Sequence, residues 1–185
     1  MVIDKRFSKE TMLLLQGLIG KRFENYECDP FRFSSMVYKN VGFQIDGLSY
    51  LLKNEIAAQY YFGVPEDICN FDFTTVEKEE IHSALDGVAQ IVMPVEAIIS
   101  QITILNESRF MYEADHLLDE YHFVRGVVIT VSDCREYSFE KCDDFSEEIM
   151  IRRGSNLAEQ FSPVEQGTDP ETRMIFTVER ELISL

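Results

Sequence analysis

Two glutamate–histidine pairs have a spacing that could bind a metal ion. Glu79 with His82, and Glu113 with His116, are each three residues apart. On a helix, positions i and i+3 share a face, so each pair would offer a carboxylate and an imidazole to one ion. A metal-dependent enzyme using these four residues is therefore one hypothesis. It requires long helices, whereas the sequence between the pairs has the pattern of strands.

The four cysteines show no spacing typical of a metal site. No two of them form a C-x-x-C pair, and their separations from the histidines match no familiar zinc motif. We expect reduced thiols that pack as small hydrophobic side chains in a cytoplasmic protein. The chain also lacks a G-x-G-x-x-G and a G-x-S-x-G motif. The sequence thus indicates no catalytic residue and no cofactor, and we expect a protein that is not an enzyme.

Acidic residues form two clusters that could bind a partner. Either they are exposed loops that only contact solvent, or they form a docking surface for a basic protein surface. A further hypothesis is an acidic inhibitor or decoy that occupies the basic nucleic-acid-binding surface of another protein. The residues concerned are Glu113, Asp115, Asp119, Glu120, Asp143, Asp144, Glu147 and Glu148.

The negative charge belongs almost entirely to the later part of the chain. The formal net charge is −16. Residues 1–60 carry 7 acids and 8 bases, and residues 61–185 carry the remaining 26 acids and 9 bases. Like charges repel, so we expect neither direct nucleic-acid binding nor membrane binding. The longest apolar run, Val88–Leu105, is interrupted by polar residues and a proline, and no secretory signal is recognisable.

Aromatic and β-branched residues favour a sheet as the scaffold. The chain has 14 Phe, 8 Tyr and no Trp, and such side chains suit pleated, half-buried surfaces. Asp46-Gly47 lies between two alternating runs, Val41–Ile45 and Leu48–Leu52, which predicts a hairpin with a type I′ turn. Ser8 as N-cap and Gly20 beyond the end predict a helix over Lys9–Ile19.

Other segments are assigned from weaker patterns. Asn54–Phe62 suits a short helix or an irregular segment, and a turn is expected at Pro65–Asp67. Thr74 and Glu77 suit a capping box, which predicts a helix over Val76–Leu85. Later strands are predicted at Ile91–Met93, Ala97–Leu105, Phe123–Val131, Tyr137–Phe139, Glu148–Ile151 and Met174–Val178, with a turn at Asn106–Ser108 and a loop at Gly167–Pro170.

These elements predict an α+β fold that is predominantly antiparallel β, either a barrel-like sheet or a sandwich, with a few short helices. Residues 1–185 are expected to form a single domain, with a possible subdivision near 87–107. The similar hairpins after Val41 and Val127 would fit two related halves. We expect a non-catalytic protein-interaction or ligand-binding module, and a homodimer is possible because an aromatic-rich sheet often has a face to cover.

Overall fold

The computed structural model describes residues 1–31, 35–163, 166–168 and 174–185, and the structural statements below concern these residues. The described elements are one α-helix, α1 (Lys9–Gln16), two 3₁₀ helices (Lys78–Glu80 and Leu157–Gln160) and twelve strands. The strands are β1 (Val2–Lys5), β2 (Arg22–Cys28), β3 (Met36–Tyr38), β4 (Asn40–Ile45), β5 (Leu48–Tyr61), β6 (Val64–Val76), β7 (Ile91–Glu113), β8 (His116–Val131), β9 (Glu136–Lys141), β10 (Glu148–Gly154), β11 (Gly167–Thr168) and β12 (Met174–Ser184).

The strands form one sheet in which β7 joins two regions. The main path runs β3-β10-β9-β8-β7-β2-β4-β5-β6, and β12 adds to β7 with β11 on its other side. The first part of β7 pairs with β2, and its later part pairs with β8 and β12. Every pairing is antiparallel except that of β1 with β8. The expectation of a mostly antiparallel β-rich fold is confirmed.

The core lies between strands that are distant along this path. The ring of Phe43 on β4 is 4.9 Å from that of Phe139 on β9, centroid to centroid. Tyr26 on β2 is 5.8 Å from the same Phe139 ring. The sheet must therefore curve back on itself, so that one apolar face packs against another. Its path is open, with β3 at one end and β6 at the other, and the barrel-like, sandwich and two-halves alternatives stay predictions.

Two local predictions are confirmed almost residue by residue. Asp46 and Gly47 both have positive φ, 50° and 71°, as a type I′ turn requires, and they join β4 to β5. The side chain of Ser8 accepts a hydrogen bond from the Thr11 amide and caps α1. The helix ends at Gln16, three residues before the predicted end at Ile19.

Both predictions of helix between β4 and β7 are wrong. Residues 54–62 mostly extend β5, because β5 and β6 pair over thirteen positions down to a turn at Phe62 and Gly63. The predicted turn at Pro65–Asp67 lies within β6. Of the helix predicted over Val76–Leu85, only the 3₁₀ turn Lys78–Glu80 exists. Long-range pairing and burial outweigh a local pattern here.

The two predicted strands before residue 106 are one strand. β7 runs without a break through the turn predicted at Asn106–Ser108. Between the two predicted strands, Pro94 lies beside a register shift against β2, where Ala97 and Pro94 pair with Phe23 and Asn25. The loop predicted at Gly167–Pro170 begins as the short β11, and its last two residues lie outside the described ones. No helix in the described part of the chain is long and apolar enough to cross a membrane.

A close approach at Gly126 on β8 yields a stability prediction. A Cβ added there would lie 2.2 Å from the Phe161 ring and 2.8 Å from the backbone oxygen of Phe139. The backbone oxygen belongs to a paired strand and cannot move aside, so we expect Gly126→Ala to lower the free energy of unfolding by about 1–3 kcal/mol. Urea unfolding measures this. Gly154→Ala is the control, because its Cβ would meet only Leu157 at 3.5 Å, and equal midpoints for both variants would contradict the packing described.

Candidate functional site

A cleft of about 730 Å³ opens where several strand ends and loops meet. Its walls come from the β5–β6 turn, from β7, β8 and β12, from the loop between β9 and β10, and from residues near β11. Clefts of roughly 300–1,000 Å³ are the usual size of small-molecule sites. The cleft is therefore large enough for a ligand of ordinary metabolite size.

Aromatic rings form one wall of the cleft. Tyr61 and Phe62 occupy the β5–β6 turn, with ring centroids 4.5 Å apart. Phe145 from the β9–β10 loop lies 5.7 Å from Tyr61, and Phe176 of β12 lies 5.6 Å from Phe62. Phe145 is 54% exposed, so part of this wall is accessible to the apolar group of a ligand.

The carboxylate of Asp144 lies at the base of the cleft among positive charges. Its side chain is only 2% exposed, and Oδ1 is 3.0 Å from Nζ of Lys141. Oδ2 accepts hydrogen bonds from Arg109 and, at 3.2 Å, from the hydroxyl of Tyr61. Lys141 is fully buried and lies 4.0 Å from the centre of the Phe123 ring. A buried charge is tolerable only when it is paired in this way.

A second buried carboxylate, Glu107 on β7, is held by two arginines. Arg109 donates to Oε1 through Nε and Nη2 at 3.0 and 2.9 Å. Arg180 on β12 donates to Oε2 through Nε and Nη2, both at 3.1 Å. Arg180 also donates to the backbone oxygen of Ser162 at 2.5 Å. Glu107 thus ties β12 and the segment around Ser162 to β7.

Arg125 lines the cleft from a bulge in β8. Opposite Leu105 stands Gly126, and opposite Asn106 stands Val124, so Arg125 is the extra residue with no partner on β7. A bulge breaks the alternation of side chains and redirects the residue at its centre. This places a charged side chain, 7% exposed, inside a strand whose neighbours are almost all apolar.

Glu140 on β9 is the carboxylate partner of Arg125. Its side chain is fully buried, and it accepts from Nη2 of Arg125 at 3.4 Å and from Nη1 of Arg152 at 2.6 Å. It also accepts from the Ser162 amide at 2.9 Å. Nη2 of Arg125 donates as well to the backbone oxygen of Cys142 at 3.3 Å. The contacts of Arg125 are long, and all of them use one nitrogen.

Taken together, the connected charges below the cleft are positive in an acidic protein. Three carboxylates are contacted by five cationic side chains, so the formal charge of the network is +2, and it is +1 when the exposed Asp143 at the rim is added. The members are Glu107, Glu140, Asp144, Arg109, Arg125, Lys141, Arg152 and Arg180. The network beneath the cleft therefore differs in sign from the chain as a whole, whose net charge is −16, and the charged residues that line the cleft itself, three acids and three arginines, sum to zero.

Cys142 also lines the cleft, but its thiol is not activated. Burial, followed by the nearby Glu148 and Glu140, raises its pKa to about 11. A thiol with that pKa stays protonated at neutral pH and is a poor nucleophile. The expectation that the cysteines are buried holds for Cys28 and Cys69, whereas Cys134 is exposed in a turn.

The first predicted acidic cluster surrounds the tip of the β7–β8 hairpin. Glu113 and Asp115 are exposed there. Asp119 accepts from the N-terminal amine at 2.6 Å, and Glu120 contacts His122 at 3.1 Å. Two of the four acids are thus free to meet a partner and two have contacts within the fold.

The second predicted cluster is largely used inside the fold. Asp144 is buried in the network described above. Glu147 is half-buried and accepts hydrogen bonds from Tyr38 and from the Ile56 amide. Glu148 contacts the hydroxyl of Ser146, and Asp143 is exposed at the cleft rim. Docking of a basic partner by these acids stays a prediction.

The structure does not bring the two glutamate–histidine pairs together. Glu113 and His116 face each other across the turn of the β7–β8 hairpin. Glu79 belongs to a 3₁₀ turn, and the backbone of His82 contacts Asn40 on β4. The helical spacing on which the metal hypothesis depends is absent from both. Among the described residues, no three His, Cys, Asp or Glu side chains are grouped so as to hold a metal ion.

Comparison of the chain with protein-family models, curated proteins and solved structures finds no match. The cleft itself is therefore the evidence on function. Sequence reasoning missed its cationic residues, although one signal was present: Arg125 interrupts the apolar run of Phe123–Val131, and a lone charge in such a run indicates a buried ion pair.

The pairing of Asp144 yields a prediction on pH dependence. Burial alone would raise the pKa of this carboxyl, but the charges of Lys141 and Arg109 outweigh burial and hold the pKa below its usual value. A carboxyl whose pKa is lowered by folding adds stability above its unfolded-state pKa of about 3.9. That stability is lost as the pH falls through the folded-state pKa.

We expect Asp144→Asn to lower the free energy of unfolding at neutral pH by about 3–5 kcal/mol, because it removes one partner of a buried ion pair. The difference from the wild type should shrink as the pH falls from about 5 toward 2. Urea unfolding over this pH range measures both effects. Asp143→Asn is the matched control, since Asp143 is exposed and should change stability little. A difference that does not depend on pH would contradict the ion pairing described.

Proposed function

We propose that this protein is a non-catalytic ligand-binding module whose cleft takes up a small molecule. The observation that carries the proposal is the cleft of about 730 Å³, with aromatic rings on one wall and a positively charged network beneath it. Small-molecule sites typically combine an apolar lining with a few convergent polar groups that orient the ligand. This cleft has both.

A non-catalytic role is supported by the state of the reactive groups. Catalytic acids, bases and nucleophiles need a pKa near the working pH. Asp144 is held ionised by two cations, and Cys142 is held protonated by burial. Tyr61 likewise has its pKa raised, chiefly by burial. These groups are arranged to stay in one protonation state.

The cleft also lies between parts of the chain that are far apart in sequence. Phe62 in the β5–β6 turn and Phe176 on β12 contact each other across it. A ligand between these rings would contact both parts at once. Binding should therefore stabilise the folded state, since a ligand that binds only the folded form adds to its free energy of unfolding.

A fluorescent probe tests the proposal. Phenylnaphthylamine is apolar, uncharged and aromatic, and its fluorescence rises when it leaves water. We expect it to bind the wild type with one dominant site and to raise the melting temperature. Val178→Trp on β12 fills the cleft from the same face as Phe176, and we expect at least a tenfold loss of affinity, because the bulky ring occupies the binding volume.

Ile175→Trp is the matched control, because Ile175 lies on the same strand but does not line the cleft. Circular dichroism establishes that both variants keep the wild-type fold. If the wild type does not bind the probe, or if both tryptophan variants bind it equally, the cleft is not the ligand site and the proposal fails.

A further inference from the structure

We infer that the ligand of the cleft carries an anionic group, a carboxylate or a phosphate, that receives hydrogen bonds from Arg125 and Arg180. This inference rests on the proposed ligand-binding function and names the chemical class of the ligand. An aromatic or apolar body would lie against the ring wall, and the anionic group would lie against the two arginines.

Arg125 provides the first observation, because its hydrogen-bonding capacity is mostly unused. A guanidinium has five N–H donors. Both contacts of Arg125 leave from Nη2, and Nε is buried with no acceptor among the described residues. A buried donor without an acceptor costs about 1–3 kcal/mol. Nη1 likewise has no acceptor among the described residues, so an anion against this guanidinium would supply one.

Arg180 provides the second observation from the opposite wall of the cleft. Its Nε and Nη2 both donate to the Glu107 carboxylate, and Nη2 also donates to the backbone oxygen of Ser162. Its Nη1 donates to no group in the described part of the chain. The side chain is 23% exposed and lines the cleft, and its contacts with Glu107 and Ser162 fix the guanidinium. A fixed arginine loses little entropy when an anion binds.

Two of the carboxylates that line the cleft, Glu107 and Asp144, are paired with cations, and the exposed Asp143 at the rim is the one that has no cation partner among the described residues. Glu107 has two arginine partners, and Asp144 has Lys141 and Arg109. The remaining charge of the network is positive, and buried charges are screened less by salt than exposed ones. The local field at the cleft base should therefore attract an anion even though the chain as a whole is acidic.

The β-bulge at Arg125 also supports an anion site in the cleft. Arg125 is the extra residue between Val124 and Gly126, so it has no register partner on β7, and its side chain bonds Glu140, which stands opposite Gly126 on β9. A bulge costs ladder hydrogen bonds, and bulges are common beside functional sites. The fold thus departs from regular pairing at the position where a cationic donor enters the cleft.

Two probes of nearly the same shape test the inference. Anilinonaphthalene sulfonate has the ring system of phenylnaphthylamine plus one sulfonate, which represents the anionic group. We expect the sulfonate to bind the wild type at least tenfold more tightly than the uncharged probe, as a charge-assisted hydrogen bond would give. Arg125→Gln and Arg180→Gln should each reduce this preference, measured as the ratio of the two affinities in the same variant.

Arg153→Gln is the matched control, since Arg153 is exposed on β10 and does not line the cleft. It removes the same charge and should keep the preference. Competition identifies the natural chemistry more closely: benzoate and phenyl phosphate should displace the sulfonate probe, and neutral benzamide should not. Because Arg125 is buried and its variant could fail to fold, the wild-type comparison and Arg180→Gln test the inference independently.

The two proposals fail in different ways. If neither probe binds, the ligand-binding function is wrong. If both probes bind the wild type with equal affinity, or if benzamide competes as well as benzoate and phenyl phosphate, the cleft binds ligands but does not select an anion, and only the present inference is overturned. Equal loss of preference in Arg153→Gln and Arg180→Gln would also overturn it, because general charge would then explain the effect.

Discussion

The buried carboxylate of Asp144 can exist only because cations surround it, and this requirement determines how four parts of the chain meet. Lys141 at the end of β9 and Arg109 on β7 supply the charges, and Tyr61 in the β5–β6 turn supplies a hydroxyl. Lys141 also donates to the backbone oxygen of Cys69 on β6 at 3.0 Å, and the Cys69 amide donates to the backbone oxygen of Asp144 at 2.7 Å. Removing any one partner leaves a charge in a medium of low dielectric, which is far less stable than the paired state.

A second buried carboxylate, that of Glu140, connects the sheet to the cleft wall in the same way. Glu140, fully buried on β9, bonds the Ser162 amide, and Phe161 beside it packs closely over Gly126 of β8. Gly126 follows the bulged Arg125, so one short stretch of β8 both admits the Phe161 ring and delivers the guanidinium. The packed glycine and the charged donor are neighbours on β8, and Glu140, which bonds both Arg125 and the Ser162 amide, connects them. This explains why a mostly apolar strand contains a single buried arginine.

Much of the scaffold follows from the sequence, and the cleft does not. Alternation and turn chemistry located the Asp46-Gly47 hairpin and the Ser8 helix cap, because both depend on residues close together in the chain. The helix predicted over Val76–Leu85 failed at its start, because Thr74, its expected cap, and Val76 belong to β6 and pair with β5. The cleft joins Tyr61, Arg109, Asp144 and Arg180, which are far apart in sequence. Their meeting depends on the curvature of the sheet and on a bulge, and neither leaves a recognisable mark in composition. The second acidic cluster is evident in the sequence as a possible docking surface, but its most buried member, Asp144, is paired with cations within the fold.

Arg125 is proposed to donate hydrogen bonds to an anion bound in the cleft. The signal of its side-chain Nε–H group in a proton–nitrogen NMR spectrum reports directly on such binding. The Arg125→Gln variant assigns the signal by its disappearance. Titration of the wild type with phenyl phosphate should shift the Arg125 signal with a saturable curve, and should leave the signal of the exposed Arg153 unchanged. An Arg125 signal that stays in place while phenyl phosphate saturates the protein, or that shifts no more than the Arg153 signal, would contradict the account.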